Sequence, residues 1–201
     1  MSDEIRIGAL PMALRWHVEP VNWAITDDAG LTIESGPVTD LFIDPGGRAQ
    51  NLSAPRLLGE VAGDFSFQAR VEVAFRDTFD AGALLAWVDD QTWGKLCFEA
   101  SPAGQPMVVS VVTRGTSDDA NAFDVEAAHI WLRIARMGGA FAFHASRDGA
   151  AWQLVRHFPL PGGPSVHIGL LGQSPTGRGS RATFSQIRLA DRRLDEIRDG
   201  T

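Results

Sequence analysis

The sequence predicts an all-β fold, an antiparallel sandwich or barrel of many short strands. Three observations carry this expectation. Glycine (21 residues) and proline (11 residues) punctuate a series of short apolar stretches, the pattern of strands joined by turns. Residues 65–75 (FSFQARVEVAF) alternate, with Phe65, Phe67, Ala69, Val71, Val73 and Phe75 apolar against Ser66, Gln68, Arg70 and Glu72. A period of two buries one face and wets the other. No long stretch carries the 3.6-residue period of an amphipathic helix, so the elements should pack as sheets.

Taken in order, residues 1–60 are the most irregular part, and TDLFIDPGGRAQNLSAPRLLGE (39–60) is expected to be loop or edge material covering the sandwich. Residues 81–88 (AGALLAWV) are apolar on both faces, as inside a sandwich, and TWGKLCFEA (92–100) follows after DDQ, so 81–100 predicts a hairpin. PMVVSVVTR (106–114) is the next strand, after the turn SPAGQ, and RGTSDDANAF (114–123) is expected to be a polar loop. Residues 129–160 divide into three strands, with turns at MGG and at SRDGAA, where Asp-Gly supplies a residue of positive φ. VHIGLLGQS (166–174) and RATFSQIRLA (181–190) add two more around a Gly-rich loop. In the tail, 191–201, Leu194 and Ile197 at a spacing of three suggest a short helical turn.

Length and composition bound the function. A chain of 201 residues supports one sizeable core and is short for two, so 1–201 is expected to be one domain. Hydrophobic residues at 44% and charged residues at 21% are globular proportions. The net charge of −7 and the lack of a dense Lys/Arg run argue against a nucleic-acid partner. The longest apolar stretches, such as MVVSVVT (107–113), fall far short of the ~20 residues of a membrane helix. The opening MSDEIRIGAL lacks the basic start and long apolar run of a secretory leader. Cys97 is the single cysteine, so neither an intrachain disulfide nor a cysteine zinc cluster is available, and a cytoplasmic setting is expected.

Six segments together resemble a known family: TDLFIDP (39–45), DAGALLAWVDDQTWGKLCFE (80–99), VVTRGTSDDAN (111–121), WLRIAR (131–136), FAFHASRDGAAWQLVRHF (141–158) and IGLLGQSPTG (168–177). The sequence resembles the regulation-of-enolase-like family, a domain of unknown function within the concanavalin A-like lectin/glucanase superfamily. The resemblance implies an antiparallel two-sheet jelly-roll sandwich with one concave sheet. It implies no activity, because the fold hosts lectins, glucanases and plain interaction modules alike.

The hairpin LLAWVDDQTWGKLCFEA (84–100) holds two of the six tryptophans and supplies the candidate site. Period two on its second strand places Trp93, Lys95, Cys97 and Glu99 on one face and Gly94, Leu96 and Phe98 on the other. The apolar set should face the core, leaving the first set on the outer, concave face. Trp87 falls with Ala83 and Leu85 and is expected beside Trp93. Ser110, Val112 and Arg114 share a face of the next strand. With Phe141 and Phe143 as core, His144 and Ser146 point the other way. The expected groove contains Trp87, Trp93, Lys95, Glu99, Arg114 and His144, with Asp89 at the hairpin turn and Ser117 and Asp118 on the rim loop 117–121. Tryptophan with scattered hydrogen-bonding groups suits a sugar, whose apolar ring face stacks while its hydroxyls bond sideways. Any one-sided sheet presents polar residues to water, so no single residue here is diagnostic; the convergence carries the expectation.

Other chemistries are weaker. Glucanases of this superfamily, by the resemblance, carry two glutamates bracketing an aspartate on one strand, and no Glu-x-Asp-x-Glu occurs here. A hydrolase would need Glu99 with Asp89 or Asp90, brought to roughly 5–9.5 Å across the scissile bond. Ser117, Asp118, Asp119 and Asn121 are oxygen-rich, but their spacing fits no EF-hand. His17, His129, His157 and His167 show no metal-ligand spacing, and GQSPTGRG (172–179) enters a strand rather than a helix. Lys95 on the face of Cys97 would favour a thiolate, but no histidine partner is visible. No cofactor and no metal are therefore expected. The leading expectation is a non-catalytic module that binds an oligosaccharide or a protein partner. A glycan hydrolase and a regulatory module contacting a metabolic enzyme are the alternatives.

Overall fold

The computed structural model describes residues 4–8 and 10–201; the first three residues of the opening segment lie outside that description. It is all-β, and among the described residues no segment is helical. The first sheet runs, in spatial order, β1 (Arg15–Val18), β6 (Arg56–Ala62), β15 (Ser165–Gln173), β8 (Ala81–Asp89), β9 (Thr92–Ala100), β10 (Pro106–Arg114) and β11 (Thr116–Asp124). The second runs β14 (Gln153–Pro159), β13 (Ala140–Ser146), β12 (His129–Met137), β7 (Phe65–Ala74), β16 (Arg181–Ala190), β3 (Leu31–Glu34) and β2 (Asn22–Ile25). A small separate ribbon pairs β4 (Leu41–Ile43) with β5 (Gln50–Leu52). All pairings are antiparallel, and the two large sheets form the expected sandwich.

The alternation of 65–75 explains the core. Phe65, Phe67, Ala69, Val71 and Val73 of β7 are buried and pack with Leu84, Ala86, Leu96 and Phe98 of β8 and β9. Phe143 and Phe158 meet edge-on at 4.6 Å between ring centroids. Gly94 sits opposite them, and a Cβ there would lie 3.1 Å from both rings, so the aromatics fill the space a side chain would need.

Three expectations are corrected. Residues 1–60 do more than cover: β1 and β6 join the first sheet, and β2 and β3 the second. Their strands are short, three or four residues for five of the six, which leaves little alternation to detect. Residues 114–123 are not a loop but mostly strand β11, an edge strand whose side chains are largely exposed. Exposure on both faces removes the period-two signal. The tail forms a hydrogen-bonded turn, with Gly200 N–H donating to Glu196 C=O at 3.0 Å, but no helix.

Candidate functional site

The outer face of the first sheet is not open. Trp87, Trp93, Cys97, Leu85, Val109 and Val111 form a second apolar cluster there, roofed by Leu41, Ala54, Phe42 and Leu52 around the β4–β5 ribbon. The ribbon is held down by Ser117, whose hydroxyl accepts the Ile43 N–H at 2.9 Å and pairs with the Thr113 hydroxyl at 2.8 Å. Trp87 and Trp93 face each other across the β8–β9 register, near-parallel at 6.5 Å between centroids. Both are buried, at 4% and 0% exposure, so they are packing and offer no platform to a ligand. The Arg56 guanidinium lies 4.5 Å over the Trp87 ring and donates to the carbonyls of Leu52 and Ala54.

Where the roof ends, a cavity of about 190 Å³ opens between Lys95, Glu99, Gln173, Asp40 and Asp119, with Phe42, Phe79, Val109 and Val111 as apolar walls. Small outward side chains on the neighbouring strands, Ala81, Ala83 and Cys97, leave this space. Lys95 is 2% exposed, and its ammonium donates to Gln173 Oε1 at 2.7 Å, with Asp40 Oδ1 at 3.7 Å. Glu99 lines the cavity, and its carboxyl takes no hydrogen bond from the described residues. Burial pushes its carboxyl up to about 7; Lys95 opposes the rise, while Asp40 and Asp119 add to it. Phe79 is held at the rim by its neighbour. The fully buried Asp80 accepts the N–H groups of Arg76 and Asp77, both at 3.0 Å, and the Ser174 hydroxyl at 2.6 Å. That loop sets Phe79 at a φ of 68°, a left-handed conformation strained for an aromatic residue and of the kind retained at functional positions.

The predicted site residues scatter around this cavity. Lys95 and Glu99 line it together, facing outward as expected. Arg114 does not: Val112 packs in the inter-sheet core, so Arg114 shares the inward parity and is exposed at the strand end. Ser117 is a buried structural anchor. Asp118 points away from the cavity and pairs with Arg156 at 2.7 Å; its neighbour Asp119 faces in. This alternation also sends the acids of 117–121 to opposite faces, so they do not converge on a cation. Asp89 caps the hairpin turn, accepting the Gln91 N–H at 2.8 Å. It lies opposite Thr92, while Glu99 is seven residues along the strand, roughly 23 Å away. The pairing of Glu99 with Asp89 or Asp90 that a hydrolase needed is therefore not formed. His144 belongs to the other sheet, on its outer face. Alternation gave its direction relative to Phe143, but not the sheet its strand would join.

Asp40, Gln173, Phe42 and Phe79 were missed, while Asp119 was placed only within the rim loop 117–121. Only Gln173 carried a signal, a lone amide at the end of the apolar run Ile168–Leu171 and on the outward parity of Leu171. Cys97 is fully buried, and burial raises its thiol pKa despite Lys95. It is expected to be silent to a thiol reagent in the folded protein and to react stoichiometrically in denaturant; rapid native labelling would contradict its place under the roof.

Comparison with known proteins agrees with this architecture. A family model described as "Protein of unknown function (DUF1349)" matches residues 16–192. The chain belongs to this family. It is 29% identical over 168 residues to "Regulation of enolase protein 1" of Saccharomyces cerevisiae, covering 83% of this chain and 84% of that protein. A functionally unknown protein of the same yeast superposes with a TM-score of 0.82 at 28% identity, over 88% of this chain and 95% of that one. More distant members of the fold include the GH43 BlXynB protein from Bacillus licheniformis, with a TM-score of 0.69 at 15% identity. That match spans 89% of this chain but 37% of the enzyme. The carbohydrate binding module CBM66 from Bacillus subtilis gives a TM-score of 0.55 at 16% identity, over 87% and 94% of the two chains.

Proposed function

We propose that the protein is a non-catalytic binding module that takes one end of a carbohydrate into the cavity above β9. The observation that carries this reading is the pairing of two buried, outward-facing charged residues, Lys95 and Glu99, in a cavity where Glu99 has no hydrogen-bond partner among the described residues. Lys95 is already bonded to Gln173, so the Glu99 carboxyl is the group left open to a ligand from the cavity. A sugar hydroxyl, donor and acceptor at once, completes a carboxyl and an ammonium together, while Phe42 and Phe79 offer apolar surface to the ring. Likeness to the CBM66 module supports the same reading at the level of the fold.

Calorimetric titration with a panel of mono- and oligosaccharides tests it. Saturable binding to one sugar class is expected, weakened at least tenfold in Lys95→Met measured at a temperature where circular dichroism shows the variant folded. An absence of binding across the panel would sink the sugar reading. A second reading, a module that contacts a metabolic enzyme, draws on the name of the yeast relative and on the exposed Val21, Trp23 and Ile25 in and beside edge strand β2. An apolar free edge is a surface for strand addition. A complex with enolase on size exclusion, lost in Trp23→Lys, would favour it.

A further inference from the structure

The outer face of the second sheet carries a polar row that the first site does not use. Gln68, Arg133 and His144 stand side by side on β7, β12 and β13, by direct register. Arg133 is 6% exposed and His144 fully buried, because residues 191–201 lie over them. The Arg133 guanidinium stacks 3.6 Å from the Trp152 ring, donates from Nε and Nη2 to Gln68 Oε1 (both 3.2 Å), and from Nη1 to the Gly200 carbonyl (2.5 Å). No carboxylate pairs with it among the described residues. His144 Nε2 donates to the Ile197 carbonyl at 2.8 Å, and its Nδ1 has no partner. Burial lowers the pKa of both groups.

A buried cation without a counter-ion is costly, and here its missing acceptors are supplied by backbone carbonyls of a short segment. That segment is shaped by its own bonds: Asp195 and Glu196 N–H donate to a backbone oxygen of Thr201, and Gly200 N–H to the Glu196 carbonyl. It rests on the sheet through Leu194, which is buried, and through Gly200. With φ at +75°, and with a built Cβ falling 2.9 Å from Trp152 Cβ, the Gly200 position admits no other residue without strain.

We infer that Arg133, His144 and Trp152 form a second binding site, for a carboxylate-bearing ligand, which residues 191–201 occupy as an internal cap. Lifting the cap frees two adjacent donors, Arg133 Nη1 and His144 Nε2, each now held by a neutral carbonyl oxygen. A carboxylate presents two acceptor oxygens and the negative charge that the carbonyls lack. Trp152 then flanks the bound group. A uronic acid and a free peptide carboxylate share this chemistry.

The test uses the full chain. Gly200→Val and Leu194→Ser each loosen the cap by a different contact, and amide hydrogen exchange over 191–201 reports its release. D-glucuronate, N-acetylglycine and neutral D-glucose are titrated calorimetrically. The expected result is faster exchange in both variants and at least tenfold tighter binding of glucuronate or N-acetylglycine than in the wild type, with glucose unaffected. Which of the two binds identifies the source of the carboxylate. Adding Arg133→Met, with the fold checked by circular dichroism against the wild type, should abolish the gain. Unchanged exchange in both variants would overturn the cap. Unchanged carboxylate affinity in released variants, or binding that survives Arg133→Met, would overturn the site.

Discussion

Replacing Trp93 by alanine is expected to destabilise the protein by about 3–5 kcal/mol, the range for emptying a buried aromatic site. The indole is fully buried, faces Trp87 on one side, and has the Lys95 ammonium 6.0 Å from its ring. The apolar roof around β4–β5 closes over the cluster, so water cannot enter to relieve the cavity. Its Nε1 has no acceptor among the described residues, so no hydrogen bond is lost with the packing. Urea unfolding followed by circular dichroism measures it. Trp23→Ala, at 39% exposure on edge strand β2, is the control and should change stability by less than about 1 kcal/mol. Equal effects at the two positions would mean that the roof does not seal the outer face. The same reasoning makes Trp93→Ala a poor probe of ligand binding, since any loss of affinity would follow from loss of the fold.

Stability should fall with rising pH through the range in which Glu99 ionises. Burial keeps its folded carboxyl protonated up to about 7, whereas the unfolded chain releases that proton near 4.5. Between these values the folded state binds more protons than the unfolded one, so each step up in pH favours unfolding. The shift corresponds to about 3 kcal/mol, lost progressively from pH 4.5 to 7 and fully gone by about pH 8. Glu99→Gln keeps the shape and cannot ionise. Its urea midpoint should lack this decline, and it should be the more stable protein at pH 8. His17, His129 and His144, whose pKa values burial lowers, act in the opposite sense in both proteins. The difference between variant and wild type therefore isolates Glu99. Parallel pH profiles would show the carboxyl to be solvated. A ligand that stabilises ionised Glu99 should flatten the wild-type decline, which links this measurement to the proposed site.

Much of the architecture was legible because buried strands announce their parity. Phe65 to Val73 alternate, and the two faces of β9 were assigned correctly from Gly94, Leu96 and Phe98 alone. The strands of 1–60 were not, because three or four residues give too little alternation, and β11 was not, because an exposed edge has none. At the site, Lys95 and Glu99 could be found, since their parity opposes an apolar set on the same strand. Their partners could not. Asp40 arrives from the start of the β4 ribbon and Gln173 from β15, contacts that local pattern does not encode. One clue was present. Strand β10 is apolar on both faces, with Val109 and Val111 outward, and such a strand demands cover on its outer side. That demand foretells the roof, and with it the burial of the tryptophans. His144 failed for a different reason: direction within a strand says nothing about which sheet receives it.

The acidic edge strand has a consequence for how copies of this protein behave in crowded solution. β11 borders the first sheet with unpaired backbone groups along one side, the template from which intermolecular sheets grow. Asp118, Asp119 and Asp124 line that border. Two molecules approaching edge to edge would force these carboxylates together before a single interchain hydrogen bond could form. The stretch that looked like a loop thus carries the charge that, by this argument, opposes edge-to-edge pairing of two sheets.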